Sequence, residues 1–292
     1  GDHRDLHSFP TRRSSDLNAL TMLRYCGTSR MNYLSRIVAP ADFVEGAEAF
    51  DDLVLGALES LLRVEFSRDE NGAVDPKGST VRALRRSIRN AGFGFRSLSF
   101  ISPIAFLSSA AMAASSTHTL LEPQIAFALE EHPQSSQPER ASVYAHAIME
   151  SHHSVLSHPG ADAESLPMLP QDVSAFCATF SKGVPKHFQR NITHALEDGK
   201  YVALRKESHP SDVARWNSQS GPLAAGWKTT AGFSPETRIS DTAFRRIARF
   251  ALGIFQADAS HQRCPLCNAE AGPDHALVCH KERCAVRSIP HN

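Results

Sequence analysis

The sequence predicts a mainly α-helical chain. Three observations lead there. Apolar residues recur at three- and four-residue steps over several long stretches, strand-like runs are few and short (Tyr201–Leu204 is one), and Pro- and Ser-rich breaks separate the periodic stretches. With 292 residues, 41% of them hydrophobic and 21% charged, the chain has enough material for a sizeable core, in one large domain or two modest ones. Wholesale disorder is excluded by the same composition.

Taken in order, residues 1–17 (GDHRDLHSFPTRRSSDL) show neither helical nor strand periodicity. They resemble the in-frame translation of a short-read sequencing-library adapter and are expected to be an artefactual leader. The natural sequence is then expected to begin near Asn18, inside a helical pattern and with further chain upstream. After Pro40, the residues Phe43, Ala47, Phe50, Val54, Ala57, Leu58, Leu61 and Leu62 share one face of an amphipathic helix of about six turns. Ser97 to Leu121 is uncharged, but Pro103, His118 and many serines make it too polar for a bilayer span, so no membrane is expected. No secretory signal pattern is present.

Val143, Ala147, Met149 and Val155 support another helix, between surface connections at His132–Pro138 and His158–Pro170. Pro185 opens a further one, in which Phe188, Ile192, Ala195 and Leu196 share a face before Gly199 ends it. Lys206–Thr230, rich in Ser, Gly and Trp, reads as a connection. The clearest pattern is Ser240–Phe255, capped by Ser240 or Asp241, with Phe244, Ile247, Ala248, Ala251, Leu252 and Phe255 as its apolar stripe. Three regions follow the leader: helical residues 18–121, a helical connector at 122–238, and 239–292 with one helix and a small C-terminal module.

Lys+Arg and Asp+Glu each number 31, and this neutrality excludes a uniformly basic nucleic-acid coat or an acidic tail protein. Local asymmetry is strong nonetheless. Ala39–Asp75 holds ten acids against Arg63 and Arg68, whereas Pro76–Leu121 holds no acid against Lys77, Arg82, Arg85, Arg86, Arg89 and Arg96. Arg245, Arg246 and Arg249 stand opposite the apolar stripe of their helix. These basic groups are candidates for sequence-independent phosphate contacts. Asp51-Asp52, on a helical pattern, reads as solvated helix surface, and His152, His153 and His158 read as surface histidines.

Four of the six cysteines lie in the last thirty residues, which points to metal in a reducing, intracellular compartment, nuclear or cytoplasmic. Cys264-Pro-Leu-Cys267, with seven residues between Cys267 and His275 and three more before Cys279, has the spacing of a tetrahedral CCHC zinc site. Four protein ligands leave no open position, so a structural zinc is expected, with Asp274 available to orient His275. His280, Cys284 and His291 are spare candidates. Cys26 and Cys177 sit in apolar helical surroundings and are expected to be core thiols.

Several motifs, in order, resemble LINE-type (non-LTR) retrotransposon reverse transcriptases just after the polymerase palm. They are Met22-Leu-Arg-Tyr-Cys-Gly, Arg30-Met-Asn-Tyr-Leu-Ser-Arg36 with Pro40, Phe50-Asp51, Ala91-Gly-Phe-Gly-Phe-Arg-Ser97 with Pro103 and Ala105-Phe106, Trp227, Ile239-Ser-Asp241 with Phe244, and Asp274-His-Ala-Leu277 with Cys279. Ala91 replaces the first Gly of the family's Gly-Gly-x-Gly-x-Arg-Ser stretch. The resemblance implies that 18–121 is a thumb-like helical region holding a template–primer duplex, followed by a zinc knuckle that contacts RNA or DNA. It also implies a partner, the upstream palm of the same polyprotein. Where the family has Arg-His-Asn, the chain has Pro290-His-Asn292. No aromatic-x-Asp-Asp pair is present to hold polymerase metals, so no catalytic residue and no polymerase activity are expected of this segment alone.

The expected function is nucleic-acid binding. The alternative is a zinc-stabilised helical adaptor that uses the acidic helix Phe43–Leu62 and the uncharged run Ser97–Leu121 as partner surfaces. An independent enzyme has little to recommend it, since no Gly-x-Ser-x-Gly, His-Glu-x-x-His or phosphate-cradling Gly loop occurs.

Overall fold

A computed structural model describes residues 16–129, 140–161, 166, 169–170, 173–221, 224–229 and 239–254, excluding the side chains of 115–129, 140–142 and 173–174. The helical expectation holds: among these residues the regular elements are helices and helical turns, with one isolated antiparallel bridge between Arg68 and Val74.

Helix α1 (Asp16–Met22) runs through a π-helical turn (Leu23–Gly27) into α2 (Thr28–Leu34). Then come α3 (Pro40–Leu62), α4 (Ser79–Arg85), a 3₁₀ turn (Ile88–Asn90) and the 32-residue α5 (Leu98–Leu129). They are followed by α6 (Arg140–Leu156), α7 (Val173–Phe180), α8 (Phe188–Glu207), α9 (Pro210–Ser220), a 3₁₀ turn (Gly226–Lys228) and α10 (Asp241–Leu252). No described helix is long and apolar enough to cross a membrane.

Two apolar cores result. In the first, α5 packs against α6, α7 and α8 through Ile104, Leu107, Ala111, Ile148, Phe176, Phe180 and Ile192. In the second, α1, α3, α4 and α10 close around Leu20, Leu58, Leu84, Phe93 and Phe244. Phe43, Ala47 and Leu98 form a smaller cluster where α3 meets the start of α5. Asp16 and Leu17 belong to this structure: Leu17 is buried in the second core, the Asp16 N–H donates to Asp241 Oδ1, and the Asp16 carboxylate pairs with Arg245. Residues 1–15 lie outside the described residues.

Several local expectations need correction. Asp51 is buried, accepting hydrogen bonds from Ser97 Oγ (2.5 Å) and the Leu98 N–H (2.8 Å), so it satisfies a first-turn donor of α5 from another helix. Its acidic neighbours on α3 gave no sign of this, because the cap joins positions 46 apart in sequence. Helix α8 does not stop at Gly199 but continues to Glu207 and absorbs the strand-like Tyr201–Leu204. Gly199 is required there by close approach, since a Cβ would sit 2.1 Å from the Gly160 carbonyl oxygen.

Within Lys206–Thr230, Pro210 opens α9, His209 caps it by accepting from the Ser211 N–H, and Trp216 is buried. His152 is buried and His158 half-buried, leaving only His153 of that group exposed. Cys177 is buried as expected; Cys26 is exposed, because the π-helical turn directs it outward. The described side chains of the uncharged run, residues 97–114, are largely buried, so that part of it is core. Ser240 caps α10 by accepting from the Ala243 N–H, and Gly253 ends it with left-handed backbone.

Candidate nucleic-acid interface

The turn after α4 organises the basic residues. Its extended segment folds back on the end of α4, so that the Phe93 and Phe95 N–H groups donate to the Ala83 and Leu84 carbonyls. Gly92 packs against this turn so tightly that a Cβ would lie 2.1 Å from the Arg86 carbonyl oxygen. Ala91, which precedes it, has φ +62°, the left-handed region that favours glycine.

The structure distributes the eight predicted phosphate-binding arginines among different tasks. Arg82 is exposed, and Arg85 lies 3.8 Å from Asp51. Arg86 stacks its guanidinium 4.1 Å over Trp216, and burial lowers its pKa to about 10. Arg89 pairs with Asp198 (2.5 Å), and Arg96 forms a two-pronged pair with Glu197 (2.6 and 3.0 Å). On α10, Arg245 pairs with Asp16, and Arg249 donates to the Leu62 and Arg63 carbonyls at the end of α3. Arg246 is exposed. Phe93 and Trp227 meet edge to face inside the second core.

What the fold does assemble is a cleft of about 940 Å³ between the π-helical turn with α2, the 88–96 turn, and the start of α8. Arg24, Arg36, Arg89, Arg96, Lys186 and Arg190 line it, with His187 and His194 and no Asp or Glu. Arg36 bonds to Gln189 across it (3.0 Å), while Lys186 and Arg190 are exposed and have no ion-pair partner among the described residues. Tyr25, 53% exposed, stands among the lining residues. Burial first, and then Arg89, lowers the His194 pKa below the ordinary imidazole value.

The wall behind this cleft is fixed from far along the chain. Arg24 stacks on Phe95 and donates to the Lys228 carbonyl (2.5 Å). The Lys228 ammonium, fully buried, donates to the Ala91 and Gly92 carbonyls (3.3 and 3.1 Å) and to Gln219 Oε1 (3.1 Å). Burial, followed by Arg86 and Arg24, lowers the Lys228 pKa to about 7. Sequence reasoning missed Arg24, Arg36, Lys186 and Arg190, although no acid falls between Asp16 and Asp42 or between Asp172 and Glu197; the two segments meet through the Arg36–Gln189 hydrogen bond.

The expected zinc site requires correction. Cys264, Cys267, His275 and Cys279 lie outside the described residues, as do Asp274, His280, Cys284 and His291. Among the described residues no group of three or more His, Cys, Asp or Glu side chains is placed to hold a metal ion. Among the described residues, then, nothing corresponds to the expected structural zinc or CCHC module.

No family model, curated protein or solved structure matches the chain, so the comparisons supply no reverse-transcriptase or retrotransposon counterpart.

Proposed function

We propose that the protein binds nucleic acid in the cleft between α2, the 88–96 turn and α8. The observation that supports this reading is a lining of five arginines and a lysine without one carboxylate. Such a surface attracts phosphates irrespective of sequence. Exposed Tyr25 offers a ring on which a base can stack, which favours a single strand over a duplex. On the motif order given above, the segment would be the post-catalytic, template-holding part of a reverse transcriptase whose palm lies upstream.

The test is fluorescence anisotropy of labelled single-stranded RNA, single-stranded DNA and duplex across a salt series. Affinity should fall steeply with salt, and Lys186→Gln with Arg190→Gln should reduce the log–log slope by about 2, one for each lost phosphate contact. Arg246→Gln, outside the cleft, should leave the slope unchanged. Micromolar-or-weaker binding that is flat with salt sinks the reading; nuclease-insensitive capture of a protein in its place would favour an adaptor.

A further inference from the structure

A second pocket, of about 550 Å³, lies between the end of α4, the start of α5, the end of α6 and the second half of α8. Its character differs from that of the cleft. Phe100, Pro103, Ile104, Val155, Leu196 and Leu204 give it an apolar lining, and Arg82, Arg85, Arg86 and Lys200 supply cations from α4, the residue after it, and α8. Two carboxylates also line it: Glu197, already bonded to Arg96, and exposed Glu207. Arg82 and Lys200 are exposed and have no ion-pair partner among the described residues, and Arg85 meets only Asp51, at 3.8 Å.

Arg86 adds to the positive field of the pocket from behind its wall. All three of its guanidinium nitrogens are buried without a hydrogen-bond partner among the described residues. Stacking on Trp216 and Tyr201 offsets part of that charge but satisfies none of the donors. A buried cation with unsatisfied donors beside two free cations makes the pocket attractive to one negative group, and low-dielectric walls strengthen the attraction. The volume falls in the range of small-molecule sites, which combine mainly apolar walls with a few convergent polar groups.

We propose that this pocket binds a small amphipathic anion. A phosphate or carboxylate head sits between Arg82, Arg85 and Lys200, and a hydrocarbon body lies along Phe100, Ile104 and Val155. A nucleic-acid strand fits less well, because successive phosphates would need cations where the pocket has hydrocarbon. Ligand and nucleic acid therefore use different surfaces, and the proposal stands apart from the function of the cleft.

Isothermal titration calorimetry on the full chain tests it, with octyl phosphate, decanoate, 1-octanol and inorganic phosphate as probes. At least one of the two amphipathic anions should bind tenfold or more tightly than both 1-octanol and inorganic phosphate; whichever binds identifies the head. The double variant Arg82→Gln, Lys200→Gln changes two exposed side chains and should weaken that binding at least tenfold. Lys186→Gln with Arg190→Gln should leave it unchanged. Equal binding of 1-octanol would reduce the site to an apolar cavity, and equal binding of inorganic phosphate to a bare ion site. Either result overturns the proposal, as does a failure of both anions to bind or a double variant that binds like the parent.

Discussion

The basic stretch around Arg82–Arg96 and the one on α10 read alike in sequence, yet the fold uses them in opposite ways. On α10 the arginines turn back on the protein: Arg249 holds the end of α3 and Arg245 meets Asp16, leaving only Arg246 exposed. Around the 88–96 turn, the arginines diverge to both sides of a tight backbone bend and border two different cavities. The difference comes from backbone shape more than from charge. A regular helix keeps Arg245 and Arg249 on adjoining turns, next to whatever that side of the helix packs against. A bend that reverses direction within a few residues sends neighbouring side chains to unrelated surroundings.

The largest expected effect follows from closing that bend. Gly92→Ala places a Cβ against the Arg86 carbonyl and must displace the backbone that joins α4 to the turn. Destabilisation of about 3–5 kcal/mol is expected from denaturant unfolding, with loss of both cavities' ligands. An unchanged midpoint would mean that the bend is not tight.

Next comes the tether behind it. Lys228→Met leaves two carbonyls and the Gln219 side chain without their donor, at about 2–4 kcal/mol. The parent should also gain stability as pH rises above about 7. Its folded-state lysine releases a proton near that pH, whereas the unfolded chain keeps one until about 10.5, so the unfolded state binds more protons in between. Unfolding midpoints at pH 6.5 and 9 should differ for the parent in that direction, and this contribution should vanish in Lys228→Met.

On α10 the contrast between neighbours is the measurement. Arg249→Gln should cost about 1–2 kcal/mol by freeing the Leu62 and Arg63 carbonyls. Arg246→Gln should stay within about 0.5 kcal/mol. Equal effects would erase the distinction between the two stretches. The smallest change sharpens the comparison: Ala91→Gly relieves a left-handed alanine and should stabilise the protein by about 0.5–1 kcal/mol.

The helices of this fold were legible wherever an apolar stripe is long, as on α3 and α10. Legibility failed where one residue type answers to two physical causes. Gly199 and a helix-ending glycine look the same until the neighbouring backbone at Gly160 is placed. Asp51 looks like surface acid until Ser97 and Leu98 arrive to be capped. The cleft was legible only in part: Arg89 and Arg96 stood in a local basic run, but Lys186 and Arg190 gained their meaning from a contact across the fold.

The Lys228 tether also sets an order of events during synthesis. Its ammonium bonds to Gly92, 136 positions earlier, and Arg24 bonds to its carbonyl across 204. At roughly 5–20 residues per second, about seven to twenty-seven seconds separate the emergence of the glycine turn from that of its lysine. Throughout that interval α4 and its turn leave the ribosome without the donor that holds two of their carbonyls. The cleft wall is thus among the last parts of the molecule to set, and a nascent chain halted before Lys228 would present the arginines of the turn to ribosomal RNA unshaped.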